Sequence, residues 1–122
     1  MSDNNTDPIL PIPSDLDDQV WQVQEKLQDL RRMTLELGRR YRELGQSPES
    51  LRTDNLGKPI SPATATKFTQ IWLSDADTTL ERAQEQLHHA RTFSSRLSLT
   101  DQADQHREQQ LARQRGERRR TR

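Results

Sequence analysis

Two runs of residues repeat apolar positions at alternating spacings of four and three, and this repeat decides what a chain of 122 residues can become. The first is Leu16, Val20, Val23, Leu27, Leu30, Thr34, Leu37, Tyr41 and Leu44; the second is Leu73, Ala76, Leu80, Ala83, Leu87, Ala90, Ser94 and Leu97. An average spacing of about three and a half residues keeps one narrow stripe of an α-helix turned toward a partner helix. The second run alternates leucine with alanine, leaving one nearly bare column, while the first is mostly large. Small contact residues let helix axes approach to about 8 Å, so the two runs are complementary in size and predict an all-α, coiled-coil-like antiparallel helical hairpin.

The segments around the runs set the expected organisation. Residues 1–13 form an extended acidic arm containing Pro8, Ile9, Leu10, Pro11, Ile12 and Pro13, whose prolines oppose helix. A first helix is expected over 14–44, capped by Ser14 and ended by Gly45 in a left-handed conformation. A linker, 45–61, holds the cap-and-proline sequence Ser47-Pro48-Glu49 and the turn signature Asp54-Asn55-Leu56-Gly57-Lys58-Pro59. Its apolar residues Leu51, Leu56 and Ile60 are expected to pack over the end of the hairpin. Ser61-Pro62 starts a second helix over 62–99, and Ser98 with Asp101 resembles a capping box that restarts it. Residues 100–122 are read as a polar helix fraying into an arginine-rich tail, so that both ends of the chain are flexible.

A two-helix unit of this size rarely stabilises itself without a partner, a metal or a disulfide. The chain has no cysteine, which removes disulfides, thiolate metal sites and thiol nucleophiles. A partner is therefore the expected addition. Trp21 and Leu35 lie off the first run, and Phe68, Ile71, Trp72 and Phe93 lie off the second. Trp21, Phe68, Ile71, Trp72 and Phe93 are the candidate partner face, covered by a second copy in a dimeric four-helix bundle or by another helical protein.

Charge is balanced, with 19 basic and 19 acidic residues, yet it is polarised along the chain. The first eighteen residues carry five aspartates and no basic residue, the opposite of a secretory or transit segment. No apolar run approaches the roughly 20 residues that span a bilayer. No membrane association is expected, and the cytoplasm is the default location. Arg113, Arg115, Arg118, Arg119, Arg120 and Arg122 form a concentrated basic segment and are candidate phosphate-binding residues, able to displace counterions from a nucleic-acid backbone, while Arg31, Arg32, Arg39, Arg40 and Arg42 make a second basic zone late in the first helix. An accessory nucleic-acid-binding protein is the alternative function.

Catalytic and metal chemistry find little support. Glu85-Gln86-Leu87-His88 has the Glu-x-x-His spacing of di-iron bundles, but Leu87 occupies the seam, which turns Glu85 and His88 outward. His88 and His89 point about 100° apart on a helix and cannot hold one ion. His106 lies in the polar tail. No glycine-rich phosphate loop or nucleophile elbow is present. Size and lack of cysteine are similar to the helical-hairpin proteins of type VII secretion, whose turn carries Trp-x-Gly. Here Trp72-Leu73-Ser74 lies inside the second helix, so no family is assigned. The expectation is a non-enzymatic interaction module, an adaptor, scaffold or structural subunit, with no cofactor and no small-molecule substrate.

Overall fold

A computed structural model of the chain describes the backbone of residues 8–120 and the side chains of residues 8–117. Asp3 and Asp7 of the acidic arm and Arg122 of the basic tail lie outside the described residues. The described residues are all-α, without a strand: α1 spans Pro13–Gly45, a single 3₁₀ turn spans Pro48–Ser50, α2 spans Pro62–Ser94 and α3 spans Asp101–Arg120. Each of α1 and α2 has 33 residues, about 50 Å at a rise of 1.5 Å per residue. No helix among the described residues is long and apolar enough to cross a membrane.

The helix starts follow local chemistry. At α1 the expected Ser14 cap gives way to Pro13, whose fixed φ suits the first helical position. The Ile12 carbonyl then accepts from Asp15 N at 3.0 Å and Leu16 N at 3.2 Å. At α2 the cap-and-proline device operates as written in the sequence: Ser61 Oγ accepts from Thr64 N at 3.2 Å, and Pro62 follows it. Threonines inside α2 satisfy their hydroxyls on their own helix, Thr69 donating to the Ala65 carbonyl and Thr79 to that of Asp75.

The helix expected to run to residue 99 stops at Ser94. The turn after it tightens to three-residue bonds, Arg96 N to Phe93 O and Leu97 N to Ser94 O. Thr100, not Ser98, caps the next helix by accepting from Ala103 N at 3.2 Å. Consecutive serines offer the backbone alternatives to helix, and a competent cap six residues on converts the interruption into a new start. The segment read as a polar helix fraying into a tail is helical from Asp101 to Arg120.

The linker also departs from expectation. Thr53 Oγ1 donates to the Ile60 carbonyl at 2.7 Å, and Asp54 Oδ1 accepts from Leu56 N at 3.2 Å, so the loop satisfies itself. Leu51 is half-buried, but Leu56 is 88% exposed and Ile60 is exposed, and neither covers the helices.

The chain divides into two compact units, one formed by residues up to Trp21 with those from Ala90 onward, the other by Gln22–His89. In the second unit Gly45 does not adopt a left-handed conformation, since no described glycine has positive φ. Its smallness has another cause. A Cβ there would lie 2.9 Å from Thr66 Oγ1 and 3.3 Å from Thr66 Cβ. Thr66, 7% exposed, is the one buried residue reported among the described side chains, and the end of α1 rests against it. A Cβ on Gly38, in mid-helix, would meet nothing within 4 Å. Gly38→Ala is expected to raise the melting temperature, by the ~0.5–1 kcal/mol that glycine costs inside a helix, while Gly45→Ala lowers it; thermal melts followed by circular dichroism compare the two.

Candidate interaction faces

Contacts between α1 and α2 in the second unit run in opposite sequence order. Gln28 meets Gln84, Arg31 meets Asp77, Tyr41 meets Gln70 and Gly45 meets Thr66. The half-buried positions of α1 in this unit are Gln24, Leu27, Arg31, Thr34, Gly38, Tyr41 and Gly45; those of α2 include Gln70, Leu73, Asp77, Leu80, Ala83, Gln84 and Leu87. Both sets keep the heptad spacing, but one column on each helix is displaced by one residue from the apolar runs.

Leu27, Thr34 and Tyr41, with Leu73, Leu80 and Leu87, line the contact as expected. Leu30, Leu37, Leu44 and Val23 do not; their places are taken by Arg31, Gly38, Gly45 and Gln24. Ala76 is likewise exposed while Asp77 is half-buried, and Ala83 is only half-buried. The alanine column is therefore only partly covered within one chain, at Ala83. In the first unit Val20 is half-buried, Leu16 and Ala90 are exposed, and Leu97 is 65% exposed beyond the end of α2.

The displacement follows from a polar layer. Arg31 Nε donates to Asp77 Oδ1 at 3.0 Å, its Nη2 to Oδ2 at 3.3 Å, and its Nη1 to Gln84 Oε1 at 2.7 Å. Gln84 Nε2 in turn donates to Gln28 Oε1 at 2.7 Å, and Glu81 Oε2 lies 3.6 Å from Arg31 Nη2. The bidentate hydrogen bond from Arg31 to Asp77, opposed by partial desolvation and aided by the charges of Asp77 and Glu81, holds the guanidinium above the ordinary arginine value. Satisfying such a fork fixes the helices in one register, and the neighbouring leucines are rotated outward as a result. The side-chain oxygen of Gln24 is enclosed without a protein hydrogen-bond partner.

The first unit is also organised by polar contacts. Asp17 accepts a 2.6 Å hydrogen bond from Ser94 Oγ and sits 3.5 Å from Arg91 Nε, whose geometry gives charge attraction without an aligned hydrogen bond. The Arg91 guanidinium lies 4.6 Å from the centre of the Trp21 ring, a cation–π stack. Arg107 Nε of α3 donates to the Leu10 carbonyl at 2.9 Å, which ties the described part of the arm to α3.

The residues expected to form one partner face are divided between the units. Phe68, Ile71 and Trp72 share a flank of α2 in the second unit and are exposed, Trp72 at 72%. Trp21 and Phe93 belong to the first, both exposed. Met33 and Leu35 add further exposed apolar surface on α1. Glu85, His88 and His89 are exposed on α2, with the two imidazole rings 6.2 Å apart and tilted. Among the described residues no group of three or more histidines and carboxylates comes together to hold a metal. Arg113 and Arg115 are exposed on α3; Arg118, Arg119 and Arg120 lie on its last turn.

No family model matches the chain, and comparison with curated proteins and with solved structures found no significant match. The exposed leucine column was visible in the sequence as half of the repeat. What the sequence hid was the polar column beside it, whose signal is the heptad spacing of Gln24, Arg31 and Gly38 against Gln70, Asp77 and Gln84.

Two outcomes check the polar layer. Asp77→Leu strands the Arg31 guanidinium and lowers the melting temperature, whereas Arg31→Leu/Asp77→Leu restores it to the wild-type value or above, because a well-packed apolar pair replaces an ion pair without loss. A double variant melting below both single ones contradicts this. On α1, the hydrogen bond from Arg39 holds the Glu36 carboxyl below its ordinary value, outweighing the opposing desolvation with the help of the Arg39 and Arg40 charges. A depressed carboxyl contributes stability above its unfolded value and loses it as pH falls through the folded one. Glu36→Gln therefore loses less helicity than wild type on acidification below the ordinary glutamate range.

Proposed function

We propose that this chain is a non-enzymatic helical protein–protein interaction module, an adaptor, scaffold or structural subunit of a larger assembly. In this reading α1 and α2 form an antiparallel hairpin, and two hairpins pair into a four-helix bundle. The reversed order of the α1–α2 contacts supports the hairpin. The observation that carries the functional reading is the absence of any buried apolar residue among the described side chains, although Leu16, Val23, Leu30, Leu37 and Leu44 repeat every seven residues along α1. Contiguous apolar stripes of this kind mark interaction sites on small proteins, and a helical pair that buries so little is completed by a partner. The setting proposed is cytoplasmic, with no small-molecule substrate.

Sedimentation equilibrium tests the reading. A species of twice the 14.3 kDa chain mass, or larger, is expected at micromolar concentration. A strict 14.3 kDa monomer that melts cooperatively contradicts it.

One observation favours a second reading, an accessory nucleic-acid binder. The basic segment lies on a helix that continues to Arg120, where Arg113 and Arg115 are exposed. Guanidinium groups spaced along a helix give salt-sensitive, sequence-blind contact with phosphates. Retardation of random duplex DNA at low salt, abolished by truncation after Leu99, is its expected outcome; no retardation at low salt removes it.

A further inference from the structure

Within the second unit, the column one residue before the polar contact column is Val23, Leu30, Leu37 and Leu44 on α1, and Ala76 and Ala83 on α2. A step back of one residue turns a right-handed helix by about 100° in a fixed sense. Because the two helices meet in reversed order, that turn carries both columns to the same side of the pair. The residues so aligned, with Leu27, Thr34, Leu73 and Leu80 at the centre, are uncharged, while Lys26 and Arg40, one turn before Leu30 and Leu44, lie at the edge. The Arg31–Asp77–Gln84 layer lies toward the other side.

This surface is large on one helix and small on the other, so its shape is complementary to itself. We propose that it is covered by a second copy of the chain, related by a two-fold axis running along the helices, with Leu30 of each copy seated between Ala76 and Ala83 of the other. The proposal rests on the reading of the chain as a self-associating module and names the surface and the geometry. An axis along the helices keeps residues at their own level and places α1 of one copy over α2 of the other. The intrachain contacts set that level: Arg31 spans Asp77 to Gln84, so Leu30 stands opposite the gap between the two alanines. An axis across the helices stacks leucine on leucine and leaves the alanines unfilled.

The extent is sufficient. From Val23 to Leu44 α1 rises about 33 Å, and two helices present a face about 18 Å wide, so roughly 600 Å² per copy and about 1,200 Å² in total are buried. That reaches the lower bound of specific protein interfaces, about 1,200 Å². Trp72, one turn before Ala76, borders this contact.

The chain contains no cysteine, so single cysteines report directly on the geometry. Full-length Leu30→Cys and Ala83→Cys are mixed in equal amounts and oxidised, with Arg32→Cys, exposed and turned away from the face, as control. The mixed Leu30→Cys/Ala83→Cys disulfide is expected to dominate over either self-disulfide, and the control is expected to cross-link with neither. A dominant Leu30→Cys self-disulfide overturns the proposed axis. A dimer by sedimentation equilibrium without the mixed disulfide overturns the face but leaves self-association standing; a monomer overturns both. As a second measurement, Ala83→Leu keeps helix propensity but fills the gap, and it is expected to weaken dimerisation about tenfold, the effect of overpacking a close contact. An unchanged dissociation constant overturns the proposal, provided circular dichroism shows full helicity.

Discussion

The fork from Arg31 to Asp77 governs the rest of the structure. The guanidinium presents five donors in a fixed geometry, and three of them are met across the helix pair by the Asp77 carboxylate and the Gln84 amide. The polar column that results occupies half of the helix–helix contact. Leucines that would have filled it are turned one step round α1, and the alanines of α2 turn with them. Burial of apolar surface, the main favourable term in folding, is therefore small within the single chain, where no described apolar side chain is fully buried.

A polar layer of this kind contributes less to stability than to choice of register. Replacing such pairs by packed apolar groups is often neutral or favourable, whereas a lone polar residue at a heptad position is a well-attested device for fixing alignment. The same logic repeats in the first unit, where Asp17 holds Ser94 and attracts Arg91, and Arg91 stacks on Trp21. Gly45 against Thr66 adds a close approach near the linker. Helices pinned by polar contacts leave their apolar stripes continuous and uncharged.

Much of the helical architecture was legible in the residues. The four-three spacing located α1 and α2, and Ser61-Pro62 marked the start of α2 because a hydroxyl cap and a proline both suit a first turn. Gly45 was read as a left-handed terminus, but its smallness serves contact with Thr66, a long-range fact that no local rule contains. Ser14 lost its role to Pro13, and Thr100 replaced Ser98, since several capping residues stood within reach and sequence does not rank them. Leu56 and Ile60 were expected to pack because they are apolar, yet the loop closed on its own hydrogen bonds. The faces were the least legible. Hydrophobic pattern alone centres the contact on leucine and alanine, and the rotation that exposes half of that stripe depends on pairings between residues more than forty positions apart.

In the proposed reading, folding of this chain is completed by association through its apolar face. The most direct test is the dependence of thermal unfolding on protein concentration, followed by circular dichroism over a hundredfold range. If association and folding are linked, mass action raises the midpoint steadily with concentration. A sharp transition whose midpoint stays constant across that range contradicts the account.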